Sequence, residues 1–583
     1  MTNLIYLYGR NGSTRTYSDS ELEEIPRRIT PDNAPFDPII KREDDTVICL
    51  TDRSQKVPLK NKSVCIGVMI PPTKNWYEPG SRIPDGTYTM VRADENLVEL
   101  ISDMSASRTL YYRIFDDILV ASTSQRAVMH FSDSFQPDKD ALLWMLSSGT
   151  LGPKQSWDER IEVLPPSSEL VLKRSNWKTD LNTNKVSYKP VQRSKSELLL
   201  ELDENLHQTI SDMNLDYSNW VLPLSGGVDS RALLHLLQDK KEMITITWGT
   251  PDSIKEKEND AYIARELAKE YGFDHEFHSK PEVPNNIDRF FDRYLAAGEG
   301  RTDSIAGYTD GFKVFEDLVS KDIKGMIRGD HVFGYDGLTP FTNVRRVMGS
   351  GTLEDVMLID DSLSDLDMIP WAEEQYFPKD LQKRPGESSE DWRDRLRLYL
   401  QIPSNLASLS ALKTPYLEIV NPFLSKNILN IARSLPAGLR DNKKLWKDYV
   451  LSKTPDIPLA TEDGNPGYGT ILKDPDMISY IKNNIDSTES RELLGNDLLD
   501  YTLKRLDPEK SGDPIEKLSK DLLGIDVKKE ALERLPPYFI KPIADKTRIK
   551  IPRFKVKANR LALRIYIITE MVKKLKDDAK RSD

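Results

Sequence analysis

The chain has 583 residues, with 82 Lys and Arg against 93 Asp and Glu for a net charge of −11, so it exceeds what one hydrophobic core usually spans and is poorly suited to general nucleic-acid binding. Its two cysteines and six scattered histidines give neither a disulfide framework nor metal-ligand spacing. No apolar run reaches the roughly 18 residues of a membrane span, and "MTNLIYLYGRNG" lacks the basic flank and long apolar core of a secretion signal, so a cytoplasmic location is expected.

From the N-terminus to about residue 190, short strand-like runs alternate with turn residues. "TVICL", "KSVCIGVMI", "DGTYTMVRAD", "NLVELISD", "TLYYRIF", "DILVAST" and "SELVLKR" predict a β-rich layered domain over 1–190. Cys49 and Cys65 lie in two of these runs and read as buried free thiols. "NWKTDLNTNKVSYKPVQRSKS" is polar and aperiodic, the composition of a linker. From about residue 195 strands alternate with amphipathic helices. "SELLLELDENLHQTISDM" reads as a helix, "WVLPLS" as a strand and "DSRALLHLLQDK" as a helix. "MITITWG" and "NDAYIARELAKEYG" repeat the strand–helix pattern. This alternation predicts an α/β domain over 191–583, with a parallel sheet, helices on both faces and a largely helical remainder. The basic C-terminus closes in "LALRIYIITEMVKKL", an amphipathic helix that is either a solvated face or an attractor for an acidic peptide or membrane surface.

One turn carries chemistry. In "VLPLSGGVDSRALLHLL" (221–237) an apolar strand feeds directly into a helix. Gly226 and Gly227 let the backbone approach a ligand, and the first amides of the helix offer an anion site reinforced by its dipole. Ser225 and Ser230 add hydroxyl donors. Asp229 is out of place against bare phosphate and apt if Mg²⁺ lies between them. The turn also sits at the carboxyl end of a strand, where open α/β sheets bind ligands. It is not a Walker loop, which needs G-x-x-x-x-G-K-[ST].

At these residues the sequence resembles the PP-loop ATP pyrophosphatases, with their S-G-G-x-D-S signature, and most of all the asparagine synthetase family with its β-lactam synthetase and lasso-peptide cyclase relatives. Further resemblances run in order along the chain: "DMSASRTLYYRIFDDILVASTSQRAVM", "SSGTLGPKQSWDERIEVLPPSSELVL", "GMIRGDHVFGYDG", "VNPFLSKNILNIARSLP" and "DNKKLWKDYVL". The resemblance implies a glutamine amidotransferase-like (Ntn-type) domain over 1–190 and an ATP-binding synthetase domain over 191–583. It implies cofactors ATP and Mg²⁺, a small-molecule or peptide carboxylate as substrate, ammonia or an amine as nucleophile, and it allows a homodimer. Leu224, Ser225, Gly226, Gly227, Asp229, Ser230 and Gly329 would frame the nucleotide, and Asp229 and Asp330 would ligate the metal. Trp248, after "ITIT", is either a wall beside adenine or a core residue.

The departures from the family matter as much. The chain begins Met1, Thr2, Asn3, without the nucleophilic cysteine of the glutamine-using members, which implies a platform domain without glutaminase chemistry. The loop that carries a glutamate or tyrosine in relatives reads Met326, Ile327, Arg328, Gly329. Arg328 or another side chain would then serve, and His331 is either a proton acceptor or an ordinary loop residue. The family's downstream lysine is missing from "LATEDGNPGYG", leaving Lys443, Lys444 or Lys447 as replacements. The expectation is an AMP-forming amide ligase. A divergent true asparagine synthetase and a non-catalytic nucleotide- or partner-binding relative are the alternatives.

Overall fold

The computed structural model describes residues 2–11, 13, 17–52, 57–330, 333–334, 338, 344–352, 375–506 and 558–579. Twelve strands of the N-terminal third form two sheets. They are β1 (Leu4–Gly9), β2 (Ile39–Glu43), β3 (Thr46–Leu50), β4 (Leu59–Lys60), β5 (Ser63–Met69), β6 (Gly86–Ala93), β7 (Leu97–Ser102), β8 (Tyr111–Ile114), β9 (Ile118–Ser122), β10 (Glu162–Val163), β11 (Ser168–Lys173) and β12 (Lys178–Thr183). One sheet has the order β10-β8-β9-β1-β3-β2, the other β12-β11-β7-β6-β5-β4, with antiparallel pairing throughout.

Period-two alternation stacks the two sheets. Leu4, Tyr6 and Tyr8 of β1 point to Val64, Ile66, Val91 and Leu100 of the second sheet. Ile5 and Leu7, one step out of phase, face helices α1 (Asp19–Ile29), α2 (Gln125–Met129) and α3 (Lys139–Ser148). Cys49 and Cys65 are buried and unpaired, as expected. The expected linker differs in its first part: "KTDLNT" forms β12, an edge strand with every residue exposed. Its register comes from the hairpin backbone ladder onto β11, so it carries no apolar period for a sequence reading to detect.

The parallel sheet contains β13 (Trp220–Pro223), β14 (Ile244–Gly249), β15 (His275–Ser279), β16 (Gly325–Ile327) and β17 (Glu418–Val420), in the order β15-β14-β13-β16-β17. Helices cover both faces, which makes this part α/β. Leu222, Ile327 and Val420 pack towards α4 (Lys195–Asp212), α5 (Val228–Leu236) and α6 (Asp260–Tyr271). Val221, Ile246 and Met326 pack towards α7 (Ile287–Gly298) and α8 (Lys313–Ser320). The strands run outward from β13 to β15 and then resume on its other side at β16. That reversal lies at the carboxyl ends of β13 and β16, the position at which open α/β sheets generally bind ligands.

The C-terminal helix Ala558–Ala579 departs from its expected solvated face. Leu561 to Ile568 are all buried, and the helix joins α2, α3 and α7 in one core. Its arginines point inward: Arg564 pairs with Asp303 at 2.7 Å. The basic stretch 547–557 before it lies outside the described residues.

Candidate active site

β13 ends at Pro223 and α5 starts at Val228, so the turn between them spans four residues. Leu224 is buried and belongs to the sheet, with its N–H donating to Ile246 O at 2.8 Å. The two serines brace the turn from inside. Ser225 N donates to Ser230 Oγ at 3.0 Å, the two hydroxyls are 2.9 Å apart, and Gly227 N donates to Ser225 Oγ at 3.3 Å. Gly226 N donates to Asp260 Oδ1 at 3.0 Å. The amides of 225–227 are thus engaged internally. The first turn of α5 begins at an N-cap, Gly227, that makes no side-chain capping bond, as at helix starts that receive anions.

Gly226 is needed for space. A Cβ there would lie 2.3 Å from Ala460 Cβ. The Ala460 strap is held from below by Arg231, a fully buried residue that donates to Ile457 O at 2.5 Å and Pro458 O at 2.8 Å. Burial first, and repulsion from Asp463 second, push the Asp260 carboxyl up to about 6. Neither Asp260 nor Arg231 stood out in the sequence. Asp260 reads as an ordinary first-turn acid of α6, and the strap's contact with Arg231 crosses more than 200 positions.

The second loop leaves β16 beside this turn. A Cβ on Gly329 would lie 3.0 Å from Asp229 O and 2.9 Å from the Phe423 ring, so the two loops touch at backbone level. Asp330 is buried, accepting from Arg328 Nη2 at 3.2 Å and from Asn421 Nδ2 at 3.2 Å. Asn421 follows β17 directly, and its role is another that only the fold makes visible. Asp229 accepts from Lys443 Nζ at 2.6 Å and from Trp446 Nε1 at 2.7 Å. Asn442 and Lys443, both at positive φ, form the bend that turns Lys443 inward. Of the three candidate lysines, Lys443 thus meets the turn, whereas Lys444 is exposed. His331 lies outside the described residues. Trp248 packs edge-on against Phe315 with ring centroids 6.3 Å apart, and Lys280 Nζ is 4.8 Å from its ring, so its side chain belongs to the face covered by α8.

Residues 218–448 match the asparagine synthase family model. This segment is an asparagine synthase domain. It starts just before β13 and contains the 225–230 turn, Trp248, the Arg328–Asp330 loop, Asn421 and Lys443. No curated protein matches the chain. Among solved structures the chain is similar to the NH3-dependent NAD synthetase from Campylobacter jejuni in complex with nitrate, at 15% identity over 28% of this chain and 63% of that one, with a TM-score of 0.17. It is also similar to the glutamine phosphoribosylpyrophosphate amidotransferase from B. subtilis complexed with ADP and GMP, at 10% identity over 47% of this chain and 65% of that one, with a TM-score of 0.20. The chain spans less than two thirds of the length of either.

The synthase domain thus offers a helix N-terminus, two carboxylates and two cations at one crevice. Among the described residues no three His, Cys, Asp or Glu side chains gather to hold an ion. Mg²⁺ nevertheless keeps several waters and is commonly bound by one or two carboxylates together with phosphate oxygens, so Asp229 and Asp330 suit a metal that arrives with its nucleotide. Outside the synthase domain, Thr2 is buried, its hydroxyl 3.2 Å from Thr51 Oγ1 and accepting from Asp52 N at 3.0 Å. The cavity beside it holds about 30 Å³. Among the described residues, no helix is long and apolar enough to cross a membrane.

Proposed function

We propose that the chain is an ATP-dependent, AMP-forming carbon–nitrogen ligase. A carboxylate oxygen of the substrate attacks the α-phosphorus of ATP. The α–β phosphoanhydride bond breaks, pyrophosphate leaves, and an acyl-adenylate forms. Ammonia or an amine then attacks the acyl carbon, loses a proton, and AMP departs as the amide forms. The observation that carries this reading is the meeting of the 225–230 turn with the Gly329–Asp330 loop at the sheet's reversal, inside the matched synthase segment.

In this reading the first-turn amides of α5 receive phosphate oxygens. Asp229 and Asp330 would hold Mg²⁺, which neutralises charge on the departing pyrophosphate. Lys443 and Arg328, already paired with those carboxylates, supply countercharge to the same oxygens. Residues 1–190 act as a platform without glutaminase chemistry. Two features support that: the Thr2 hydroxyl is tied into the end of β3, and the adjoining space is of the order of a water or two. The ligase unit comprises residues 191–583, in a protein of the cytoplasm.

The test is pyrophosphate release with ATP, Mg²⁺ and a panel of carboxylates that includes L-aspartate. Carboxylate-dependent pyrophosphate with AMP is the expected result. ADP and phosphate would overturn adenylation, and no turnover with intact ATP binding would favour the non-catalytic relative.

A further inference from the structure

Where the antiparallel sandwich meets the synthase domain lies a polar cavity of about 200 Å³, room for several waters or one small organic molecule. Its walls come from the loop after α3, from Thr302, Asp303 and Ser304 after α7, from the helical stretch Arg397–Leu406, and from Arg560 in the C-terminal helix. Neither the 225–230 turn nor the 328–330 loop lines it, so the proposed ligase chemistry leaves it unused.

The loop after α3 is pressed flat against its neighbours. A Cβ on Gly152 would lie 2.3 Å from the Trp144 ring, and one on Gly149 would lie 2.4 Å from Asp303 Oδ2. The stretch Arg397–Leu406 is π-helical, a rare geometry that recurs at functional sites, and its wide turn sets Leu400, Gln401, Ser404 and Asn405 against the cavity together. Two polar groups in these walls are incompletely matched. Asn405 Oδ1 is buried without a hydrogen-bond partner, an acceptor that costs free energy until a donor reaches it. Asp303 accepts from Arg560 Nε at 2.8 Å and Nη2 at 2.9 Å, and from Arg564 Nε at 2.7 Å. Among the described residues, Asp303 is the one carboxylate acting on either arginine, so two cations share one anion. Arg564 is buried, whereas Arg560 lines the cavity with its side chain 38% exposed.

We propose that this cavity binds a small amino or hydroxy acid. Its carboxylate pairs with Arg560, whose Nη1 is not taken up by Asp303, and its ammonium or hydroxyl donates to Asn405 Oδ1. A bare inorganic anion would answer the arginine and leave Asn405 unmatched, and a neutral polyol would do the reverse. Thr150, Thr302 and Ser304 share the lining with the Trp144 ring, a mixture suited to a compact polar molecule on a short carbon skeleton. The site goes beyond the ligase reading and holds without it, because its ligand sits away from the nucleotide turn.

The experiment is calorimetric titration of the full chain with acids in matched sets: L-aspartate and L-malate against succinate, L-glutamate against glutarate, and L-lactate against propionate, with inorganic phosphate beside them. At least one amino or hydroxy acid should bind, and its donor-free counterpart should bind roughly tenfold more weakly, because it leaves a buried acceptor unmatched. Arg560→Met should weaken binding of that acid roughly tenfold or more. This variant should stay folded, since Arg564 still matches Asp303 one to one. Asn405→Leu should instead close the gap between the acid and its counterpart. Affinity for ATP with Mg²⁺ should be unchanged in both variants. At one fixed concentration the acid should raise the melting temperature of wild type more than that of Arg560→Met. No binding by any amino or hydroxy acid, equal binding within every set, or binding unaffected by Arg560→Met would overturn the assignment. Phosphate binding as tightly as the best acid would overturn it too, as would displacement of the acid by ATP, which would move the ligand to the nucleotide turn. Failure of the ligase reading shows separately, as absence of pyrophosphate release in a chain that still binds the acid.

Discussion

Asp229 and Asp330 each already hold a cation, Lys443 at 2.6 Å and Arg328 at 3.2 Å. Changing either acid to asparagine keeps its shape and removes one charge from the place where, in the proposed reaction, pyrophosphate would depart. Asp229→Asn and Asp330→Asn are each expected to slow ATP–pyrophosphate exchange by roughly 10²- to 10³-fold without unfolding the chain. Both would serve one ion, so the double variant should be little worse than the worse single one. Normal exchange in Asp330→Asn would remove the second loop from the mechanism. A different acid governs stability. Burial first, and repulsion from Asp138 second, push the Asp140 carboxyl up to about 7. The folded state therefore binds a proton that the unfolded state has released above the ordinary aspartate range. Stability from this residue is present at about pH 4 and lost as pH rises to about 7. Asp140→Asn should flatten that decline and melt higher than wild type at about pH 8, and a scan of melting temperature against pH checks it.

At the scale of elements, the turn between β13 and α5 works because the strap at Ala460 closes over it. Ala460 N donates to Gly226 O at 3.2 Å, and a Cβ on Gly226 would meet both Ala460 Cβ at 2.3 Å and Ile263 Cβ at 3.1 Å. Gly226→Ala must push the strap outward. The expected loss is about 1–3 kcal/mol of stability, typical of overpacking, together with weaker ATP binding, read by denaturant titration and calorimetry. An unchanged ATP affinity would show that the strap plays no part in the site. The strand–turn–helix unit was legible because one local pattern fixes it: an apolar run, two glycines and a helix start. The strands from β5 to β9 were legible for a similar reason, since each has apolar residues on both of its covered faces. What escaped depends on distance in sequence. Asp260, Arg231 and Asn421 gain their partners only when β14, the 457–460 strap and β17 come to lie beside β13 and β16. Trp248 has two readings in the sequence, and in the fold its ring packs edge-on against Phe315 of α8.

At the scale of the whole molecule, the C-terminal helix is the strut that joins the antiparallel sandwich to the rest. Arg564 bonds Asp303 and also donates to Leu146 O at 2.7 Å and Ser147 O at 2.9 Å at the end of α3. Near the other end of the same helix, Asp578 holds Arg126 of α2 through two bonds, Nε at 2.7 Å and Nη2 at 2.9 Å. Both side chains of this pair are nearly inaccessible, at 7% and 4%. Removing one partner leaves the other charge buried without its match, whereas exchanging both for apolar residues removes the penalty. Asp578→Ala should therefore destabilise by roughly 3–5 kcal/mol, and Arg126→Met with Asp578→Leu should recover most of it. The helix shares one core with α2, α3 and α7, so the loss should lower a single calorimetric transition and not split off a separately melting sandwich. Two resolved transitions in Asp578→Ala would show that the sandwich holds its own fold without the strut, and that the lost pair acts only within the sandwich's helical layer.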